Sequence, residues 1–300
     1  MRRIVFASGK GGTGKTTLAA VCAHLAAAEG PLVLADCDVE AANLPIALRA
    51  SAIARKPFAG ASVARIDPAR CRGCGACRRA CRFGAIGPAE DFEASRVFRI
   101  DAWACEGCGA CMPTCADRAI TAHAATAGEV VSAESVAGPM VFGRLGPGED
   151  LSGKLVTEVR RQASVLADSA GARLMLLDGP PGVGCPAIAA VADTDLMVAV
   201  TEPTIAGEHD LARLVTLARR LGVPVAIVLN KADLSGPGAA RIRAYASGQR
   251  LPLIGEIPFD PGLASLLERS AAGDRAWWDR GPGVEAGRGV WQRIAAWPSG

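Results

Sequence analysis

Apolar residues fall in short unbroken runs toward both ends of the chain, with helix-spaced stretches between them. Ile4-Val5-Phe6-Ala7, Leu32-Val33-Leu34-Ala35, Leu174-Met175-Leu176-Leu177, Leu196-Met197-Val198-Ala199-Val200-Thr201 and the segments 224–229 and 253–260 each read as a strand. Unbroken runs, rather than alternation, are the pattern of strands covered on both faces, as in a parallel sheet between helices. Between them, Leu18–Ala28 is rich in Ala and Leu. Leu155, Val159, Ala163 and Leu166 recur at helical spacing, and a helix is expected over 207–221. The predicted fold class is therefore α/β: a doubly wound, mainly parallel sheet with helices on both faces.

Two stretches depart from this rhythm. From Leu48 to Gly148 the alternation stops. The segment between Ile120 and Leu151 is rich in Ala, Gly, Ser and Pro and is expected as a return linker with one short strand. From Gly273 onward lies a Trp-rich tail, in which Val290, Trp291, Ile294 and Trp297 share one helical face. Such a stripe packs on the protein or on a partner, or lies in a membrane interface. Its polar face carries few cations, which disfavours the membrane.

Composition narrows the classes. A chain of 300 residues suggests about two domains. The formal net charge of +3 is too small to argue for nucleic acid or an acidic membrane as partner. No apolar run approaches the roughly 20 residues of a membrane span. Met1-Arg2-Arg3 before an apolar run mimics a secretory signal, but the run is short and leads straight into a glycine loop, so a cytoplasmic location is expected. The cysteines number 11, an odd count that argues against a disulfide framework.

The glycine loop links the first strand to the first helix. Gly9, Gly14, Lys15 and Thr16 meet the phosphate-loop pattern of glycine, four residues, glycine, lysine, then serine or threonine. Glycines let the backbone aim several N–H groups at phosphate oxygens, and the helix that follows adds its positive end. The expected binding set is Gly9, Lys10, Gly11, Gly12, Thr13, Gly14, Lys15, Thr16 and Thr17, with Lys15 on the β- and γ-phosphates and the Thr16 hydroxyl on Mg²⁺. Carboxylates close two further strands, Asp36-Cys37-Asp38 and Asp178-Gly179-Pro180-Pro181-Gly182. At the carboxyl ends of strands they suit Mg²⁺, with Asp36 a candidate ligand, and a water near a triphosphate. The alternative for Asp38 is a helix N-cap. Cys185 follows the second of these acids, either as a reactive thiol at a mobile loop or, the favoured reading, as a small buried residue.

The stretch without α/β rhythm holds Cys71-x-x-Cys74-x-x-Cys77-x-x-x-Cys81 and a second copy, Cys105-x-x-Cys108-x-x-Cys111-x-x-x-Cys115. This is the spacing of a two-cluster bacterial ferredoxin, in which the fourth cysteine of each run ligates the other cluster. One [4Fe–4S] group is thus expected on Cys71, Cys74, Cys77 and Cys115, and a second on Cys105, Cys108, Cys111 and Cys81. Gly73, Gly75, Gly107 and Gly109 let the backbone approach the cluster sulfurs. The proline that usually follows the fourth cysteine is replaced by Arg82 and Ala116, which bears on the turn and the potential, not on the ligands. Zinc is the rival for four-cysteine sites, and the tandem symmetry favours clusters. The expected domains are 1–60 and 123–272 for the nucleotide part, 61–122 for a small inserted α+β ferredoxin-like module, and 273–300 for the tail.

Lys10-Gly11-Gly12-Thr13-Gly14-Lys15-Thr16-Thr17, with its early second lysine, resembles the deviant phosphate loop of the MinD/ParA/nitrogenase-iron-protein ATPases. The resemblance runs over essentially the whole chain, in the form that carries an inserted two-cluster ferredoxin. It implies an ATP-sandwiched homodimer in which Lys10 touches the partner's nucleotide. Asp38 would orient the attacking water, Asp178 would be the Mg²⁺-side acid, Asn230 would read adenine, and Pro258 and Phe259 would lie beside it. Lys10, Lys15, Asp38 and Asp178 are the implied catalytic set. Asn230-Lys231-Ala232-Asp233 is also the guanine-reading pattern, so Asp233 keeps GTP open beside ATP. The implied cofactors are ATP, Mg²⁺ and two [4Fe–4S] clusters, and the implied partner is a redox or metalloprotein client. Three functions stand side by side: ATP-linked electron transfer, ATP-dependent maturation of a client's metal or Fe–S centre, and a nucleotide-regulated binding module.

Overall fold

A computed structural model describes residues 1–273 and 281–298. The chain divides into two compact units, Met1–Lys56 with Glu129–Gly300, and Pro57–Gly128.

The first unit opens with β1 (Arg2–Ser8), α1 (Lys15–Ala27), β2 (Leu32–Asp36) and α2 (Leu44–Ala47). The chain leaves it inside β3 (Ser51–Ile66). In the second unit follow α3 (Ala76–Ala80), β4 (Ile86–Pro88), α4 (Phe92–Ser95) and β5 (Phe98–Ile100). The chain returns inside β6 (Ile120–Ser135) and continues through β7 (Gly138–Leu145), α5 (Ser152–Ser169), β8 (Leu174–Pro181), α6 (Cys185–Val191), β9 (Leu196–Thr201) and α7 (Ile205–Arg220). It closes with β10 (Val225–Asn230), α8 (Gly236–Gly248), β11 (Leu253–Ile257), α9 (Pro261–Ala264), α10 (Leu266–Ala271) and α11 (Pro282–Ala295).

The sheet has the order β11-β10-β9-β1-β8-β2-β7-β6-β3. From β11 to β7 every neighbouring pair is parallel. The strands read as unbroken apolar runs are buried on both faces. Ile4, Phe6, Leu34, Leu176 and Val198 pack with α1 and α11, while Val5, Val33, Leu177 and Met197 are equally buried on the other side, where α5, α6 and α7 lie. Helix starts follow local chemistry. Thr204 and Ser235 accept N–H bonds from Gly207 and Gly238 in the first turns of α7 and α8, the usual work of an N-cap.

The stretch expected as a linker from Ile120 to Leu151 is instead two strands, β6 of 16 residues and β7 of 8. A two-residue turn at Val136-Ala137 joins them, the connection of an antiparallel pair. Ala, Gly and Thr give little contrast between faces, so period-two patterning is faint there. The face expected on the tail packs inward: Val290, Trp291 and Ile294 lie in the core and Trp297 packs against it half-buried, and Trp291 Nε1 donates to Glu29 at 2.7 Å. Gly287 permits the approach of α11 to α1, since a Cβ there would stand 2.9 Å from Val21 Cγ1. Trp277 and Trp278 lie outside the described residues. Among the described residues no helix is long and apolar enough to cross a membrane.

In the second unit, β4 and β5 form an antiparallel hairpin, with Ile86 opposite Ile100. Ala64, Ile66, Ile86, Phe98 and Ile120 make its core together with Cys77 and Cys111.

Candidate functional site

The glycine loop follows β1 at the carboxyl end of the parallel strands, where an open α/β sheet leaves a crevice. Gly12 and Gly14 have φ of 79° and 86°, a region that costs a side chain but not glycine. At Gly14 space is also closed, because a Cβ would lie 2.2 Å from Asn230 Nδ2. The loop is held from outside: Asn230 Nδ2 donates to Thr13 O at 2.8 Å and Lys231 Nζ to Gly12 O at 2.8 Å. A cavity of about 510 Å³ opens over it. Its walls bring together Gly11 to Thr17, Asp38, Asn230, Pro258 and Phe259, residues spread over most of the sequence.

Behind the loop lies a buried charge cluster. The parallel register sets Asp36 of β2 beside Asp178 of β8. Both carboxylates are fully buried, and Lys15 is 6% exposed. Lys15 Nζ is 2.6 Å from Asp178 Oδ1 and 3.4 Å from Thr16 Oγ1. Burial works to lower the Lys15 pKa, but the charge and hydrogen bond of Asp178, with Asp36 and Asp38, outweigh it and raise the value. Burial first, then the charge of Asp178, pushes the Asp36 carboxyl well above the usual range. Asp36 accepts from the N–H groups of Asp38 at 2.9 Å and Leu44 at 3.0 Å. The second oxygen of Asp178 is buried without a hydrogen-bond partner, as is the Thr13 hydroxyl. An orphaned carboxylate oxygen on Asp178, with the Thr16 hydroxyl also within reach of Lys15 Nζ, fits a divalent cation, which takes hard oxygen donors.

Lys10 and Gly9 are not on the cavity wall. Lys10, 38% exposed, forms an ion pair with Glu202 of the same chain. Glu202 also pairs with Lys231 Nζ at 3.3 Å. Burial works to raise the Glu202 pKa, and the two lysines outweigh it and hold it below the ordinary value. Gly9 packs on α7, where a Cβ would collide with Asp210. Sequence reading passed over Glu202. The available signal was an acid just past the carboxyl end of an apolar strand, the position it did credit to Asp38 and Asp178. Asp233 is engaged within the chain, accepting the Phe259 N–H at 2.6 Å. Cys185, expected as a small buried residue, is exposed, because it heads α6 after an extended Gly184. Cys37 is buried, and burial pushes its thiol up.

The second unit holds two smaller cavities. Cys71, Cys74, Cys77 and Cys115 line one, and Cys81, Cys105, Cys108 and Cys111 line the other. This is the crossed grouping, with the fourth cysteine of each run on the other side. The two runs are built alike: Gly73 and Gly107 have φ of 69° and 63°, and Gly75 and Gly109 have φ of 70° and 73°. A Cβ on Gly73 would lie 2.1 Å from Arg96 O, and one on Gly107 2.0 Å from Ser62 O. The four thiol-bearing residues of each group line one small cavity. Among the described residues no three His, Cys, Asp or Glu side chains are drawn together as a site for one metal ion.

Residues 4–271 match the CobQ/CobB/MinD/ParA nucleotide binding domain, and the chain belongs to that family. Two uncharacterized proteins of Methanocaldococcus jannaschii are similar over most of their length. One is 34% identical over 233 residues, covering 78% of this chain and 79% of the relative. The other is 29% identical over 237 residues, covering 78% and 82%. Among solved structures, MinD of Aquifex aeolicus superposes with a TM-score of 0.56 at 17% identity, covering 99% of this chain and 98% of that one. MinD of Pyrococcus horikoshii, solved with Mg-ADP, gives 0.55 at 17% identity, covering 98% and 95%. These structures share the fold, an α/β mainly parallel sheet.

Proposed function

We propose that this protein binds and hydrolyses ATP and carries two [4Fe–4S] clusters, with the nucleotide state linked to electron transfer to or from a client protein. One observation carries the reading: the eight cysteines sort into two cavities in the crossed grouping that a two-cluster spacing requires, in a chain whose other unit gathers a phosphate loop, buried acids and an open cavity.

In the nucleotide site, the N–H groups of Gly11 to Thr16 take the phosphates and the end of α1 adds its positive dipole. Lys15 exchanges Asp178 for phosphate oxygens. Thr16, Asp178 and Asp36 supply the donors for Mg²⁺, and the orphaned Asp178 oxygen supports that assignment. Asp38 orients the attacking water. Asn230, Pro258 and Phe259 form the base side, and the engagement of Asp233 by Phe259 supports adenine over guanine. In the homodimer, Lys10 leaves Glu202 for the partner's nucleotide.

Cys71, Cys74, Cys77 and Cys115 would hold one cluster, and Cys81, Cys105, Cys108 and Cys111 the other. A cubane gives each thiolate its own iron, which suits four thiols lining one cavity. The tandem three-spacer runs favour cubanes over a single zinc in each group. Such clusters supply one-electron chemistry. The chain's part is to fix the thiolates and bring backbone N–H groups near the sulfurs. The exposed Cys185 thiol favours a second reading, ATP-dependent maturation, because a transfer role needs an accessible ligand.

The test is anaerobic purification with iron and ATPase assays. About eight irons per chain, from two four-iron groups, and Mg-dependent ATP turnover are expected. Turnover should be lost in Lys15→Ala and in Lys10→Ala with the iron retained. Stoichiometric zinc, or turnover retained in both variants, overturns the assignment. Iron that leaves wild type for an apo-client, but stays in Cys185→Ser, selects maturation.

A further inference from the structure

The two cysteine runs are related by a constant offset, so their flanks compare position by position. Around the first run stand Arg70, Arg72, Arg78, Arg79 and Arg82. At the equivalent positions of the second stand Ala104, Glu106, Met112, Pro113 and Ala116. The core of the repeat is kept and the charge is not. All five arginines are exposed, as are Cys74 and its counterpart Cys108; Arg70, Arg72, Arg78 and Arg79 flank Cys71, Cys74 and Cys77, while Arg82 lies over Phe83 beside the other cavity. Arg72 pairs with Asp117. Among the described residues the other four have no ion-pair partner. Arg79 Nη1 reaches back to Cys74 O at 3.4 Å, and Arg70 Nη2 donates to Asp117 O at 2.9 Å, so the cations lie against the thiol-bearing loop. Lysine is absent from 57–128.

From this asymmetry we infer that the arginine face around Cys74 is the docking surface for an acidic redox protein, and that partners exchange electrons on this side of the second unit and not on the Glu106 side. The inference rests on the reading of these cysteines as cluster ligands. Guanidinium forks match carboxylates bidentately, and an uncompensated cationic patch steers an oppositely charged surface into a transient encounter. Cys74 and its counterpart Cys108 are both exposed, so charge chooses the side, and a protein seated on the arginines faces the group of Cys71, Cys74, Cys77 and Cys115. A short cationic patch, in a chain of net charge +3, is a poor track for a nucleic-acid backbone. The exchange itself moves one electron, lost by the reduced partner and gained by this chain, and no proton or group moves with it.

The test uses the full-length holoprotein, kept anaerobic, with an acidic plant-type [2Fe–2S] ferredoxin as probe and calorimetric binding at low and high ionic strength. Wild type should bind at low salt and lose binding at high salt. Arg78→Glu with Arg79→Glu should weaken binding about tenfold or more, whereas Glu106→Arg should not weaken it. Arg70→Ser with Arg82→Ser is the second variant should the first lose iron, and it should weaken binding in the same direction. Equal affinity in all variants, or no low-salt binding by wild type, overturns the inference. So does a DNA duplex or an anionic vesicle that binds wild type, and is lost in the arginine variants, while ferredoxin binding is unchanged. Iron content keeps the two claims apart. An iron-replete protein that ignores the probe overturns the docking surface alone, and an iron-free wild type that still binds overturns the cluster assignment alone.

Discussion

Replacing Lys15 by alanine should do more than remove a phosphate ligand. The ammonium is the buried cation beside two fully buried carboxylates, 2.6 Å from one of them. Truncating one partner of a buried pair costs about 3–5 kcal/mol, because the other charge is left uncompensated. Asp178 already has one orphaned oxygen, and Asp36 is already pushed up by burial and by Asp178. Without Lys15 the pair relieves itself by taking up a proton. The sign follows. A carboxyl whose folded pKa lies above its unfolded value of about 3.9 binds more protons folded than unfolded. Stability therefore falls as pH rises from that unfolded value through the raised folded one. The Lys15→Ala deficit should be largest at neutral pH and shrink as pH falls toward 5. Adding Asp178→Asn should recover part of it. Native-state hydrogen exchange at β1 and β8 amides, nucleotide-free, reads the loss in the first unit without interference from the second. A deficit under about 1 kcal/mol, with no pH dependence and no recovery in the double variant, refutes the electrostatic account.

Gly14→Ala meets both a φ of 86° and the Asn230 amide. It should cost about 1–3 kcal/mol and abolish binding of a fluorescent ATP analogue in an anisotropy titration. Glu202→Gln should change thermal stability by at most about 1 kcal/mol, since Lys10 is part-exposed. It should lower the protein concentration at which ATP produces a dimer in sedimentation, because Lys10 is released. Trp291→Ala opens the core between α11 and α1 and removes the bond to Glu29. A loss of about 3–5 kcal/mol is expected in denaturant unfolding, with no change in iron content.

The parallel strands were legible because burial on both faces leaves an unbroken apolar run: Leu196–Thr201 is the run as read. The phosphate loop and the cysteine runs were legible because their chemistry fixes spacing within a single loop. β6 and β7 were not, since Ala-, Gly- and Thr-rich strands carry little periodic contrast. The pairing of Lys10 with Glu202, the cross-strand neighbours Asp36 and Asp178 and the support of Thr13 by Asn230 were also hidden. Each joins residues far apart in sequence, set together by register. Cys185 was misread because nothing in Gly184-Cys185-Pro186 says which side of a helix start faces water.

The central claim is that nucleotide and redox states share one free energy. Its most direct test is an anaerobic EPR-monitored titration of the reduction potentials, first with Mg-ADP and then with Mg-ATP bound to a turnover-deficient Asp38→Asn protein. A nucleotide-dependent shift is predicted, with about 59 mV corresponding to a tenfold change in relative nucleotide affinity between the two redox states. Two cluster signals whose potentials are identical in both nucleotide states, with ATP binding verified in the same samples, would contradict it.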